Sequence, residues 1–77
     1  MLDAEAIQRL ISARLPDASV EVTDLTGGSD HFQAMVVSES FRGKAMLEQH
    51  RMVYDALGDA IGGVIHALRL KTAAPRT

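Results

Sequence analysis

Apolar residues near the N-terminus recur at the spacing of a helix that is buried along one side. Asp3 is suited to cap the start of this helix, and Pro16 ends it, because the residue before a proline is driven out of the helical region. The sequence therefore predicts a first helix between Asp3 and Pro16. Its apolar side chains, three or four residues apart, are Ile7, Leu10, Ile11 and Leu15.

Alternation of apolar and polar residues follows, which is the pattern of β-strands. Val20 and Val22 alternate with polar neighbours and predict a short strand that runs to about Leu25. Residues 31–38 predict a second strand with apolar side chains on both faces, which is typical of the centre of a sheet. Residues 26–30 contain two adjacent glycines and predict a hairpin loop between these strands, because glycine accepts positive φ.

A longer helix and a last strand are predicted in the C-terminal half. The helix covers about residues 45–60, and Gly62 and Gly63 are predicted to end it. A third strand is predicted over residues 64–71, and residues 72–77 are expected to form a frayed tail. The predicted apolar stripe of the helix consists of Leu47, Tyr54, Leu57 and Ile61.

The order of these elements predicts the fold of a single domain of 77 residues. The first two strands should be antiparallel across the glycine loop. The second helix acts as a right-handed crossover, so the third strand should be parallel to the second. Each helix has one apolar stripe, so both helices should cover the same face of a three-stranded mixed sheet. The sequence therefore predicts an α+β fold with the order α-β-β-α-β, of the type-II KH-like kind.

Composition and charge exclude several classes of function. The chain has no cysteine, so it can form no disulfide and supply no thiolate. Its net charge of −2 provides no general attraction to nucleic acid, although the basic residues concentrate after His31. No secretory signal or membrane-spanning stretch is visible, so a cytoplasmic protein with no membrane partner is expected. Nucleophile-elbow, phosphate-binding and dinucleotide-binding motifs are absent from the sequence, so an enzyme is not expected.

Histidines are the residues with the most chemical potential in this chain, because neutral imidazole is a metal ligand. His66 is in phase with the apolar residues of the third strand, so it is either a partly buried histidine bonded to the backbone or a ligand. His31 follows the glycine loop and is either a loop histidine without a function or a ligand. His50 shares the predicted stripe of the second helix, and we interpret it as a packing and hydrogen-bonding residue.

Four segments of the C-terminal two-thirds form a recognisable series. They are Gly27-Gly28-Ser29-Asp30-His31-Phe32, Phe41-Arg42-Gly43-Lys44, Gln49-His50-Arg51-Met52-Val53-Tyr54 and Ile65-His66-Ala67-Leu68. Taken in this order, they resemble the BolA family, small proteins that pair with monothiol glutaredoxins around a [2Fe–2S] cluster. The N-terminal helix and strand fit the family's layout, whereas the chain lacks the longer tail that often ends in an acidic residue and tryptophan.

The resemblance implies roles for particular residues. His66 matches the family's signature histidine, which is its shared cluster ligand, and His31 matches the variable second ligand, a histidine or a cysteine. Arg51, Arg42 and Lys44 fall in or beside the helix that the family uses for partner contact, with solvated surface charge as the alternative. The thiolates would come from a glutaredoxin cysteine and glutathione. No cofactor is therefore expected in the isolated chain, which should be a monomer or a weak homodimer.

Two functions are compatible with the resemblance and the predicted fold. The first is an iron–sulfur accessory protein that binds a monothiol glutaredoxin and co-ligates a [2Fe–2S] cluster, for cluster trafficking or iron and redox sensing. The alternative is a KH-like transcriptional regulator that binds DNA and controls stress or morphology genes, as family members are often described. A KH module clamps nucleic acid with a Gly-x-x-Gly loop between helices, and this chain has none, which places the alternative second.

Overall fold

Two α-helices and a three-stranded sheet are formed by the residues that the computed structural model describes, which are residues 3–28, 31–58 and 67–76. The predicted order α-β-β-α-β is confirmed. Neither helix is long and apolar enough to cross a membrane. The elements are α1 (Ala4–Arg14), β1 (Ser19–Asp24), β2 (His31–Val37), a 3₁₀ turn (Glu39–Phe41), α2 (Met46–Leu57) and β3 (Ala67–Ala73).

The central strand of the sheet is β2, as the apolar residues on both of its faces predicted. It pairs antiparallel with β1 and parallel with β3. Phe32, Ala34 and Val36 on one face of β2 are fully buried, whereas Met35 on the opposite face is 37% exposed. Both helices pack their apolar sides on the buried face, which confirms the predicted one-sided layering. The helical residues of this core are Ile7, Ile11, Val53 and Leu57.

The first helix begins and ends where the sequence predicted. The carboxylate of Asp3 accepts a hydrogen bond from the backbone N–H of Ala6 at 2.9 Å, which satisfies one of the donors left unpaired at a helix start. The helix ends at Arg14, two residues before Pro16. Ile7 and Ile11 are fully buried, so the predicted face is the one that packs on the sheet.

The second helix ends earlier than predicted. It stops at Leu57, and Gly58 caps it with a φ of 56°, a left-handed value that favours glycine. The N–H of Gly58 donates to the carbonyl of Tyr54, which completes the last turn. Residues 59 and 60, to which the helix was predicted to continue, lie outside the described residues. Gly62 and Gly63 lie outside the described residues.

The predicted apolar stripe of α2 is also partly wrong. Leu57 is buried as expected, but Leu47 is 64% exposed and Tyr54 is 39% exposed. The buried side of the helix instead carries Val53, Ala56 and Leu57. Leu57 belongs to both sets, but Leu47 and Tyr54 lie on another side of the helix from Val53 and Ala56. Ile61 lies outside the described residues.

The third strand extends two residues beyond its predicted end. It runs through Ala73, which pairs with Val37 and accepts a backbone hydrogen bond from Ser38 at 3.0 Å. Thr72 is buried, and its hydroxyl donates to the side-chain carbonyl of Gln49 in α2 at 2.7 Å. The predicted frayed tail over 72–77 is therefore wrong at its start. The predicted beginning of the strand, residues 64–66, lies outside the described residues.

Candidate histidine site and its surroundings

The loop that leads to the first candidate ligand, His31, begins with a side-chain-stabilised turn. The carboxylate of Asp24 accepts hydrogen bonds from the backbone N–H groups of Thr26 at 3.2 Å and Gly27 at 2.9 Å. The hydroxyl of Thr26 accepts from the N–H of Gly28 at 3.1 Å. Gly27 has a φ of 79°, which a residue with a side chain rarely adopts. These bonds hold the chain where it leaves β1.

His31 is the first residue of β2, and its backbone is held from both sides of the strand. Its carbonyl accepts a hydrogen bond from the N–H of Leu25 at 2.9 Å, and it pairs in register with Ala67 of β3. Its side chain is half-buried and lies on the face opposite Phe32, because successive residues of a strand alternate between faces. The fold therefore positions an imidazole at the end of the central strand.

His66, the second candidate ligand, lies outside the described residues. It directly precedes Ala67, the residue that pairs with His31. Residues 3–28, 31–58 and 67–76 contain no group of three or more His, Cys, Asp or Glu side chains that could hold a metal ion. The role of His31 and His66 as ligands therefore stays a prediction.

Arg42, a predicted partner-contact residue, makes contacts within its own chain. Its guanidinium is ion-paired with Glu39 and donates a hydrogen bond to the carbonyl of Pro75 at 3.0 Å. The hydrogen bond from Arg42 lowers the pKa of Glu39, and the same contact raises the pKa of Arg42. Arg42 thus ties the 3₁₀ turn to the segment after β3, and its contact with a partner stays a prediction.

Arg51 and Lys44, the other two basic candidates, are exposed. Arg51 lies on the solvent side of α2, between two exposed apolar residues. It is four residues after Leu47 and three residues before Tyr54, so the three side chains are neighbours on the helix surface. We name these three residues the α2 outer face. A cation flanked by exposed apolar and aromatic side chains is typical of the surfaces that proteins use to bind one another. Lys44 lies two residues before α2 begins.

His50, interpreted from the sequence as a packing residue, is half-buried on α2. Its ring is half-buried and meets the ring of Tyr54 edge-on, with the ring centroids 6.5 Å apart and the planes at 79°. Its Nε2 atom is buried and has no hydrogen-bond partner in the part of the chain that the structure describes. The predicted packing role of His50 is confirmed, whereas the predicted hydrogen bond is not found among these residues.

A polar cluster around the buried residue Ser38, which the sequence analysis missed, joins the loop after α1 to the end of β2. The carboxylate of Asp17 accepts hydrogen bonds from the hydroxyl of Ser38 at 3.0 and 3.1 Å and from the N–H of Glu39 at 2.9 Å. Ser38 is fully buried, and its hydroxyl also accepts from the N–H of Ser40 at 3.1 Å. Ser38 could have been recognised as a cap from the sequence Ser-Glu-Ser. Its partner Asp17 is 21 residues away and is brought there only by the fold.

Replacing Ser38 by alanine is expected to destabilise the protein by roughly 1–2 kcal/mol. The change removes a buried hydroxyl that both donates to Asp17 and caps the 3₁₀ turn. Urea unfolding at neutral pH measures the effect. The matched control is Ser40→Ala, since Ser40 is exposed and only its backbone N–H bonds to Ser38. Equal losses in the two variants would contradict the assigned role of the Ser38 hydroxyl.

Acidification is expected to reduce the stability advantage of the wild type over an Asp17→Asn variant. The hydrogen bond from the Glu39 N–H, followed by that from Ser38, lowers the pKa of Asp17 below its ordinary 3.8. The ionised carboxylate therefore contributes stability above pH 3.8, and this contribution is lost as the pH falls through the lower folded-state pKa. Urea unfolding from about pH 6 to about pH 2 measures the change.

The control for this pH series is Asp55→Asn, which removes an exposed carboxylate from α2 and changes the net charge equally. The difference in unfolding free energy between Asp55→Asn and Asp17→Asn separates the local hydrogen bonds from the general effect of charge. If the difference in unfolding free energy between the two variants stays constant over the whole pH range, the contacts of Asp17 do not favour its ionised carboxylate over the protonated one.

Comparison with known proteins finds relatives over nearly the whole length of the chain. The family model described as BolA-like protein matches residues 8–77. Protein BOLA2 of Arabidopsis thaliana is 40% identical over 74 residues, which cover 95% of this chain and 78% of that protein. The DNA-binding transcriptional regulator BolA of Escherichia coli (strain K12) is 32% identical over 79 residues, which cover 94% of this chain and 75% of that protein. The structure of a BolA protein homologue from Coxiella burnetii has a TM-score of 0.82 at 36% identity, and the match covers 97% of this chain and 94% of that one.

Proposed function

The chain belongs to the BolA-like protein family, and from that premise we propose that it is an iron–sulfur accessory protein. In this role it binds a monothiol glutaredoxin and co-ligates a [2Fe–2S] cluster through His66 and His31, for cluster trafficking or for iron and redox sensing. The thiolate ligands come from a glutaredoxin cysteine and from glutathione, because this chain has no cysteine of its own.

The observation that carries the proposal is the pairing of His31 with Ala67, the residue next to His66 in the chain. Two imidazoles bind one iron of a [2Fe–2S] cluster in Rieske centres. The pairing of His31 with the residue that follows His66 supports the same division of ligands between this chain and its partner.

The cluster supplies electron-transfer chemistry when bound, and ligation by neutral imidazole instead of thiolate raises its reduction potential. The chain's own contribution at the described end of β2 is to hold His31 in place. The backbone of His31 is fixed by its bond from Leu25 and by its pairing in the ladder with β3. The half-buried position of the ring limits its contact with water. The strand end thereby restricts the positions that this ligand can take.

The α2 outer face supports the proposed partner contact. Arg51 offers a charge and hydrogen-bond donors, while Leu47 and Tyr54 beside it offer apolar area that is exposed by 64% and 39%. We assign the glutaredoxin contact first to Arg51 and second to Lys44, which is exposed just before the same helix. Arg42 ranks behind them because its guanidinium is engaged by Glu39 and Pro75.

The test of the proposal is anaerobic mixing of this protein with a monothiol glutaredoxin that carries a [2Fe–2S] cluster. Visible circular dichroism should show a new spectrum, and the two proteins should elute together from a size-exclusion column. An unchanged spectrum without co-elution would overturn the proposal.

Transcriptional regulation is the second candidate function. It is supported by the name of the Escherichia coli relative, which is 32% identical and is called a DNA-binding transcriptional regulator. Titration of labelled DNA at low and high salt tests it. A regulator would prefer a defined site over unrelated DNA, and its affinity would fall as salt rises. Equal, weak binding to every sequence would exclude this function.

A further inference from the structure

The sheet has a second face on which neither α1 nor α2 packs. On this face the middle positions of the three strands form two rows of side chains that lie in register. Glu21, Thr23, Met35, Arg69 and Lys71 are exposed there, and Gln33 is half-buried. We name these six residues the outer sheet face. Its first row is Glu21, Met35 and Lys71, and its second row is Thr23, Gln33 and Arg69.

Charge is distributed unequally across the outer sheet face. The acidic residue Glu21 lies on β1, both basic residues lie on β3, and the apolar Met35 separates Glu21 from Lys71. Their strands are two spacings apart, about 10 Å between backbones. Within the described part of the chain neither Glu21 nor Lys71 has an ion-pair partner. The face thus carries opposite charges on its two sides with an apolar centre.

We propose that the outer sheet face binds a second copy of this chain, related to the first by a two-fold axis parallel to β2. This axis places β1 of each copy opposite β3 of the other. Glu21 then faces Lys71 of the other copy twice, and Thr23 faces Arg69 twice. Met35 meets Met35 at the centre, where both methionines leave water.

Charge selects this arrangement and this partner over the alternatives. A two-fold axis that lies across the strands would place Glu21 opposite Glu21 and Lys71 opposite Lys71, which repel each other. A uniformly acidic partner such as nucleic acid would meet Glu21, and a uniformly basic partner would meet Lys71 and Arg69. A second copy rotated about the strand direction pairs every charge of the two rows with an attractive group. Sheets that pack face to face in this aligned way are common in proteins.

The size of the face indicates that the association is weak. Three strands of six or seven residues give a face of roughly 15 by 23 Å, or about 350 Å² per copy. Stable interfaces bury about 800 Å² per partner, so we expect a dimer that forms only at high concentration. Much of its attraction is between exposed charges, and added salt should therefore weaken it.

Sedimentation equilibrium from about 50 µM to about 1 mM protein tests the proposal. The average mass of the wild type should rise with concentration at low salt and fall back at high salt. Glu21→Lys and Lys71→Glu should each weaken self-association by about tenfold or more, because each change creates two repulsive pairs. An equimolar mixture of these two variants has two attractive pairs and should associate more strongly than either variant alone.

The matched control is Glu48→Lys, which changes the net charge as Glu21→Lys does. Glu48 is exposed on α2, away from the outer sheet face, so this variant keeps both complementary pairs. It should self-associate like the wild type. An equal loss of association in Glu48→Lys and Glu21→Lys, or a wild type that stays monomeric at the highest concentration, would overturn the proposal.

Discussion

A Phe32→Ala variant is expected to lose roughly 3–5 kcal/mol of its free energy of unfolding, because the change leaves a cavity in the core. Phe32 is fully buried on the central strand and packs in the cluster to which both helices contribute. A domain of 77 residues has a total stability of only about 4–12 kcal/mol. The melting temperature should therefore fall by roughly 12–40 °C, as measured by circular dichroism at 222 nm.

Met35→Ala is the matched control for this prediction, because Met35 lies on the same strand but on the opposite face and is 37% exposed. It should cost less than about 1 kcal/mol, because little buried apolar surface is removed. Both variants are compared at low concentration, where the proposed dimer does not form. Similar losses from the two substitutions would contradict the assignment of the buried face.

Most of the fold could be predicted because local sequence patterns and the final packing agree. The alternation in residues 31–38 predicted a central strand, and the structure has β2 there with its buried face at Phe32, Ala34 and Val36. Asp3 and Pro16 act within a turn of their own position, so the limits of α1 followed from neighbours in the sequence.

The errors concern features that depend on distant parts of the chain. Leu47 and Tyr54 were predicted to be buried from their hydrophobicity, but the sheet contacts another side of α2. The extension of β3 depends on its ladder with β2 and on the bond between Thr72 and Gln49, 23 residues apart. Neither contact has a local signal, so periodicity alone could not find the end of the strand.

The choice of His31 and His66 as ligands stays a prediction. His31 and His66 were selected because they match a family motif, and the structure adds that His31 pairs with the neighbour of His66. The contacts that hold Arg42 in place could not be predicted, because its second partner, the carbonyl of Pro75, is 33 residues away. The sequence did not indicate that the α2 outer face is exposed, because Leu47 and Tyr54 are hydrophobic and were therefore assigned to the buried side of the helix.

The core and the candidate site occupy consecutive residues of one strand. Phe32 anchors β2 in the core, and His31 directly before it lies on the other face. Since the strand cannot shift by one residue without exposing Phe32, the register of the core also fixes the position of the His31 backbone. A stable central strand is therefore a condition for the proposed ligand position.

A His66→Ala variant is expected to lose the heterocomplex spectrum that the wild type forms with a [2Fe–2S]-loaded monothiol glutaredoxin. We propose His66 as the main ligand from this chain, and alanine offers no atom that can bind iron. A His31→Ala variant should still form a complex but with an altered spectrum, because the proposed second imidazole is lost. Anaerobic titrations followed by visible circular dichroism measure both effects.

His50→Gln is the matched control for the two ligand variants, since it removes a histidine that packs against Tyr54 within α2. It should leave the heterocomplex spectrum unchanged, and far-ultraviolet circular dichroism shows whether each variant is folded. A wild-type spectrum from folded His66→Ala would contradict the assignment of His66. A wild-type spectrum from His31→Ala would show that His66 is the only histidine ligand, and the pairing of His31 with Ala67 would then serve the sheet alone.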